Sequence, residues 1–141
     1  MRNTCYRVDD LERFLMASTV ATMREMQDHL GTPVTKTVLR KLKALSYRSS
    51  YSHGGRYYTL DQIAQFDHRG LWRYKDVHFS ESGTLMSTLQ HFVDESHSGY
   101  FADELRELLG VSVKESLLRL ISNGQVSREK VANRYWYCSA R

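Results

Sequence analysis

The chain is poor in the residues that would tie it to several functional classes. Its 141 residues include one proline, Pro33, and two cysteines, Cys5 and Cys138. The cysteines lie near opposite ends with no CxxC pair, which argues against a disulfide framework and against a structural zinc site. Reduced, incidental thiols are the expectation. No apolar run approaches the roughly 18 residues that a membrane-spanning helix requires, and Met1 to Asp10 holds no apolar signal-peptide stretch, so no membrane partner and a cytoplasmic location are expected. Phosphate loops of the GxxxxGK[ST] kind, HExxH pairs and GxSxG turns are missing. The six histidines show no ligand spacing with cysteine or with one another. The sequence therefore predicts no enzyme, no cofactor and no metal centre. The 41% hydrophobic content still suffices for a real core.

A second scarcity is local. Residues 32–60 hold six Lys and Arg and not one Asp or Glu, whereas residues 61–111 hold four basic and nine acidic groups. Residues 1–31 hold four and five, and residues 112–141 hold six and two. The net charge of +4 is thus distributed as two positive blocks alternating with two negative ones. Blocks of one sign present a face to a polyanion.

Internal similarity organises the rest. The stretch from Met23 to Tyr47 slides without a gap onto Ala102 to Val126 at an offset of 79, so that Met26 falls on Leu105, Leu30 on Leu109, Gly31 on Gly110 and Val38 on Leu117. Upstream, an offset of 78 places Leu11 and Leu15 on Leu89 and Val93; downstream, a one-residue deletion places Arg56 and Tyr57 on Arg134 and Tyr135. One unit written twice is the reading. In each copy the periodicity predicts helix, helix, helix, hairpin. In the first, a helix runs from about Val8 to Met16, and Thr22 with Glu25 forms a capping-box pattern that opens a second helix ended by Gly31. Thr32 with Pro33 reads as the N-cap and first residue of a third helix. The alternating residues Tyr47 to Leu60 around His53-Gly54-Gly55 predict a hairpin whose turn needs positive φ. In the second copy the helices fall near 83–95, 102–109 and 112–122, and the hairpin near 125–138, with Asn133 in its turn. Between the copies, 61–66 reads as a short helix and 67–82 as an apolar connector that packs rather than dangles.

The third helix carries the candidate interface. Val34, Val38, Leu42 and Leu45 share one side and form the expected buried stripe, while Lys36, Arg40 and Lys43 fall opposite, flanked by Thr35, Thr37 and Lys41. A row of cations and hydroxyls suits the major groove of DNA, where Arg and Lys donate to guanine acceptors and Thr contacts base edges or phosphates. The first hairpin adds Arg48, His53 and Arg56. In the second copy Lys114 and Arg119 remain on the helix, but Glu115, Ser122 and Leu120 replace Lys36, Lys43 and Lys41. The hairpin there carries Arg128, Lys130 and Arg134. Leu120, expected to be exposed, points to a dimerisation surface as one role for the second unit, and phosphate clamping by its hairpin as the other.

The segments Thr35 to Leu45, Tyr47 to Leu60 and Gly99 to Leu109 resemble the winged helix-turn-helix superfamily. The run Tyr-Ser-His-Gly-Gly-Arg-Tyr-Tyr-Thr-Leu-Asp at 51–61 is similar to small bacterial tandem winged-helix proteins encoded near mobile or defence elements. The resemblance implies a mainly α fold with small β-hairpin wings, α+β in class: two winged helix-turn-helix units in tandem. Their expected bounds are 1–66 and 83–141, with 67–82 as connector, recognition helix 33–45 and wing 47–60. It implies sequence-specific binding of double-stranded DNA, as a transcriptional regulator or accessory factor at the nucleoid. Whether the chain is a homodimer stays open, and a protein adaptor or a single-strand or RNA binder are the alternative readings.

Overall fold

Two apolar residues one helical turn apart, Leu11 and Leu15, begin the first core. The computed structural model describes residues 8–140; Cys5 lies outside them. Helix α1, Val8–Ser18, turns both leucines fully inward, and the chain reverses through Thr19 at φ 74° into the short strand β1, Ala21–Thr22. Thr22 then caps α2, Met23–Leu30. Its hydroxyl accepts from the Glu25 amide at 3.2 Å, and the Glu25 carboxylate accepts from the Thr22 amide at 2.8 Å. This is the expected capping box, which is worth about 1 kcal/mol. Gly31, left-handed at φ 74°, closes α2 by donating its amide to the Gln27 carbonyl. Helix α3, Thr35–Leu45, starts two residues later than expected. Thr32 does not cap it; its hydroxyl accepts from the Val34 amide at 3.2 Å in a local turn, and Val34 is the residue before the helix. Val34 is consequently 49% exposed rather than part of the buried stripe. Val38 and Leu42 are fully buried against Leu11, Leu15, Met26 and Leu30, with Leu39 and Leu45 packed at the margin.

Strands β2, Tyr47–Ser49, and β3, Tyr57–Leu60, pair antiparallel across a turn in which His53, Gly54 and Gly55 all have positive φ. Strand β1 joins the free edge of β3, giving the order β1-β3-β2. The expected helix at 61–66 is absent. Ile63 and Ala64 both donate to the Leu60 carbonyl in a single turn that goes no further, and the Asp61 amide is bonded to the Ser46 carbonyl at 3.0 Å. The connector instead forms a second hairpin, β4 (Leu71–Tyr74) and β5 (Val77–Ser80).

Helix α4, Leu85–Glu95, capped by Thr84, opens the second set of elements. It is followed by β6 (Tyr100–Phe101), α5 (Ala102–Leu109), α6 (Lys114–Ser122), β7 (Val126–Val131) and β8 (Arg134–Ser139), with sheet order β6-β8-β7. Gly110 ends α5 at φ 73°, 79 positions after its counterpart. The turn between β7 and β8 puts Ala132 and Asn133 at φ 49° and 72°. Leu89, Val93, Leu105, Leu109, Leu117 and Leu120 are buried.

These elements correct the expected fold class. Among the described residues six α-helices stand beside eight strands in three small sheets, so the chain is α+β but not mainly α, and the sheet of each repeated unit has three strands rather than a two-stranded wing. The description as two winged helix-turn-helix units in tandem does not survive it. The chain divides into two compact units, Met1–Phe79 and Ser80–Arg141, and the first takes in nearly all of the β4–β5 hairpin, which has no counterpart among the described residues of the second. The sheet register also corrects the repeat. Ala21 pairs Tyr58 and Tyr100 pairs Tyr137; Ser49 pairs Tyr58 and Arg128 pairs Tyr137. The offset of 79 therefore holds through both hairpins with no deletion. Arg134 occupies the place of Gly55, and Tyr135 that of Arg56. A one-residue slip moves a strand side chain to the opposite face, so Arg56 and Arg134 are not equivalent.

Two glycines separate backbone strain from crowding. At Gly31 (φ +74°) an added Cβ would meet nothing within 4 Å, whereas at Gly99 (φ +86°) it would lie 2.5 Å from both Trp136 Nε1 and the Tyr137 carbonyl oxygen. Gly31→Ala is expected to cost about 1–2 kcal/mol, the left-handed penalty alone. Gly99→Ala is expected to cost about 3 kcal/mol or more, because β8 must also move. Urea unfolding of the two variants checks this, and equal losses would disprove the crowding at Gly99.

Candidate nucleic-acid interface

Helix α3 faces outward with the residues its inward stripe leaves over. Lys36, Arg40 and Lys43 are exposed, Thr37 and Lys41 half-buried at the flanks. No ion pair among the described residues engages any of these cations. Thr35, the first helical residue, is exposed, and its hydroxyl accepts from Gln27 Nε2 at 3.1 Å; the same amide group donates to the Pro33 carbonyl at 3.1 Å, so the α2–α3 link is tied across its own turn. That link spans residues 31–34 only, which holds α3 in place by its N-terminal end.

The hairpin cations divide. Arg56 is exposed and lies outside every ion pair among the described residues. Arg48 is engaged internally: its Nε lies 2.9 Å from Asp61 Oδ1 and its guanidinium 5.0 Å from the Phe66 ring centroid. His53 is also engaged, with Nδ1 2.9 Å from Ser52 Oγ, Nε2 3.6 Å from Asp76 and its ring edge-on to Tyr57. Asp76 belongs to the connector hairpin, which docks on the 51–53 loop. The Tyr51 amide donates to the His78 carbonyl at 2.9 Å, the His78 amide donates to Ser52 Oγ at 2.9 Å, and the two rings meet at 5.6 Å, tilted by 34°. Burial, with Asp67 nearby, pushes the Tyr51 hydroxyl up to about 12. The docking site is the first hairpin's turn, and the outward face of α3 stays exposed.

In the second unit, Lys114 and Arg119 are exposed on α6 but flank Glu115 and Leu118 instead of a basic row. The expected exposure of Leu120 is corrected: it is 1% exposed, and Leu118 at 42% is the outward leucine. Lys41, its counterpart, is half-buried at the flank of α3; an uncharged leucine in that place is drawn fully into the core. On the second hairpin Lys130 is exposed, and Arg128 lies over the Tyr135 ring at 4.0 Å. Arg134 is held by its own chain, Nη2 donating to both Asp103 oxygens at 2.8 and 3.0 Å and its guanidinium 3.7 Å from the Phe101 centroid. That hydrogen bond holds the Asp103 carboxyl below its usual range.

Sequence reasoning missed the internal acids of Arg48 and Arg134, which lie 13 and 31 positions away, and the basic hairpin residues Arg69, Arg73 and Lys75, all exposed. Their clustering in 69–75 was a readable signal, masked by the acidic balance of the whole block. Among the described residues no cluster of three His, Cys, Asp or Glu could hold a metal ion, and no helix is long and apolar enough to cross a membrane. No family model and no curated protein matches the chain.

The docked hairpin carries a pH dependence. His78 is held below its ordinary value of 6.5, first by burial and then by the charges of Arg73 and His53, against a smaller opposing pull from Asp76. The unfolded chain therefore takes up this proton before the folded one does, and stability falls as pH drops below 6.5. Thermal unfolding followed from pH 7.5 to pH 5 is expected to show this decline, and His78→Gln to flatten part of it. An unchanged profile in the variant would show that His78 does not control the docking.

Proposed function

We propose that the chain binds double-stranded DNA in a sequence-dependent way, as a regulator of transcription working at the nucleoid. Helix α3 of the first unit enters the major groove; Arg56 and the connector cations lie against phosphates. The observation that carries this reading is the outward face of α3, where Lys36, Arg40 and Lys43 stand exposed with no carboxylate paired to them among the described residues. Three unpaired cations in two turns repel one another, and a polyanion relieves that repulsion while releasing its own counterions. The major groove is about 12 Å wide and admits an α-helix. The outward face of α6, with Glu115 and Leu118 at its centre, is not offered as a base-reading surface.

Selection from random duplexes, followed by salt titration of the preferred site, tests the proposal. Arg40→Ala is expected to cost about 1–3 kcal/mol on the preferred site and much less on random duplex. Lys43→Ala is expected to weaken both alike and to lower the salt slope by about one. If the triple variant of Lys36, Arg40 and Lys43 binds duplex DNA as tightly as the parent chain, the proposal fails. A protein partner captured without any duplex affinity at low salt would replace it with an adaptor role.

A further inference from the structure

The second unit contains an open groove of about 470 Å³ between the start of α5, the turn before α6 and the start of β8. Its walls include Phe101, Asp103, Arg106, Lys114, Arg134 and Tyr135. Three of these are cations and one is a carboxylate, and that carboxylate is already satisfied by both of its hydrogen bonds from Arg134. Arg106 and Lys114 are exposed and take part in no ion pair among the described residues. The fold thus brings two cations that form no ion pair among the described residues to one groove beside aromatic rings, with the Asp103 charge near Arg106.

The repeat makes this arrangement informative. At the offset of 79, Arg106 stands where the first unit has Gln27, and Lys114 where it has Thr35. In the first unit those two side chains are hydrogen-bonded to each other at 3.1 Å, which ties the two helices across that place. In the second, the same scaffold positions carry like charges that cannot bond to each other. Tyr135 replaces Arg56 in register, setting an aromatic ring, 41% exposed, at the edge of the groove. Arg128 covers one face of that ring at 4.0 Å. Two cations side by side suit an anion, and an exposed ring beside them suits a planar group attached to it. The volume lies within the range of small-ligand sites.

The geometry points to this groove as a binding site for a nucleoside phosphate, with the phosphate held between Arg106 and Lys114 and the base against Tyr135. The site does not involve α3, so it stands or falls separately from duplex binding by the first unit. A nucleotide of this chemistry has two sources, a free nucleotide or one unit of a single strand.

Equilibrium dialysis of the full chain at low salt tests it, with ATP, inorganic phosphate, adenosine and a short oligothymidylate as probes. ATP is expected to bind, phosphate more weakly and adenosine not measurably. Arg106→Gln with Lys114→Gln is expected to weaken ATP binding about tenfold or more, the loss of one or more charge-assisted hydrogen bonds. Arg106→Lys should restore part of it. Tyr135→Ala is expected to weaken ATP and leave phosphate unchanged. Circular dichroism melts confirm that each variant is folded. Displacement of ATP by oligothymidylate assigns the occupant to a strand, and failure to displace assigns it to a free nucleotide; the site holds in both cases. If neither ATP nor oligothymidylate binds, or if the double glutamine variant binds ATP undiminished, the proposal is overturned.

Discussion

Burial of Val38 and Leu42 against Leu11 and Leu15 is the constraint on which the rest of the first unit depends. A helix advances about 100° per residue, so placing these two side chains inward leaves no freedom in where Lys36, Arg40 and Lys43 point. The magnitudes make the choice firm. Burying each aliphatic side chain contributes about 1.5–3 kcal/mol, whereas turning the helix over would bury unpaired ammonium and guanidinium groups at several kcal/mol each. The outward cationic row therefore follows from the inward apolar one, and any polyanion-binding capacity of α3 is a consequence of how its core side packs. In α6 the same logic, with Leu117 and Leu120 inward, turns Glu115 and Leu118 to the outside.

The two units show how one set of elements can carry different surfaces. Their short middle helices, left-handed terminal glycines and sheet registers coincide at a constant offset of 79. Backbone closure at Gly31 and Gly110 is retained in both, while side chains that do not contribute to the core differ freely. A hydrogen-bonded Gln27–Thr35 pair in one becomes Arg106 and Lys114 in the other. The first unit also acquires a docked hairpin, joined to it through backbone amides, Ser52 and the Tyr51–His78 ring contact. Hydrogen bonds and ring contacts of this kind are less sensitive to salt than the phosphate contacts proposed for α3, so ionic strength acts on the interface more than on the scaffold.

The cations of the chain are sorted by whether the fold brings an acid to them. Arg48 meets Asp61, Arg134 meets Asp103 and Arg13 meets Asp10, while the row on α3 meets none among the described residues. Exposed pairs of this sort contribute little to stability, typically below about 1 kcal/mol. Their main effect is to remove a charge from the surface potential. What remains after this pairing includes the row on α3, Arg56 and the connector cations and, in the second unit, the groove beside Tyr135.

Much was legible in the residues alone: the capping box at Thr22, the glycine ends of α2 and α5, the positive-φ turns at Gly54 and Asn133, and the two faces of α3. Each of these depends on neighbours within four positions, and local sterics and helical periodicity decide them. The connector hairpin, the two-residue strands, the exposure of Val34, the burial of Leu120 and the register of β8 were not legible. A two-residue strand has no alternation to read, and a hairpin's register can slip by one without changing its composition. Only pairing with a distant strand chooses between the two registers, and only distant acids decide which arginines remain available. The sequence by itself determined which helix faces carry the apolar stripe and which short segments must turn. Tertiary structure decided which charges are left unpartnered, because that depends on groups brought together from 13 to 31 positions apart.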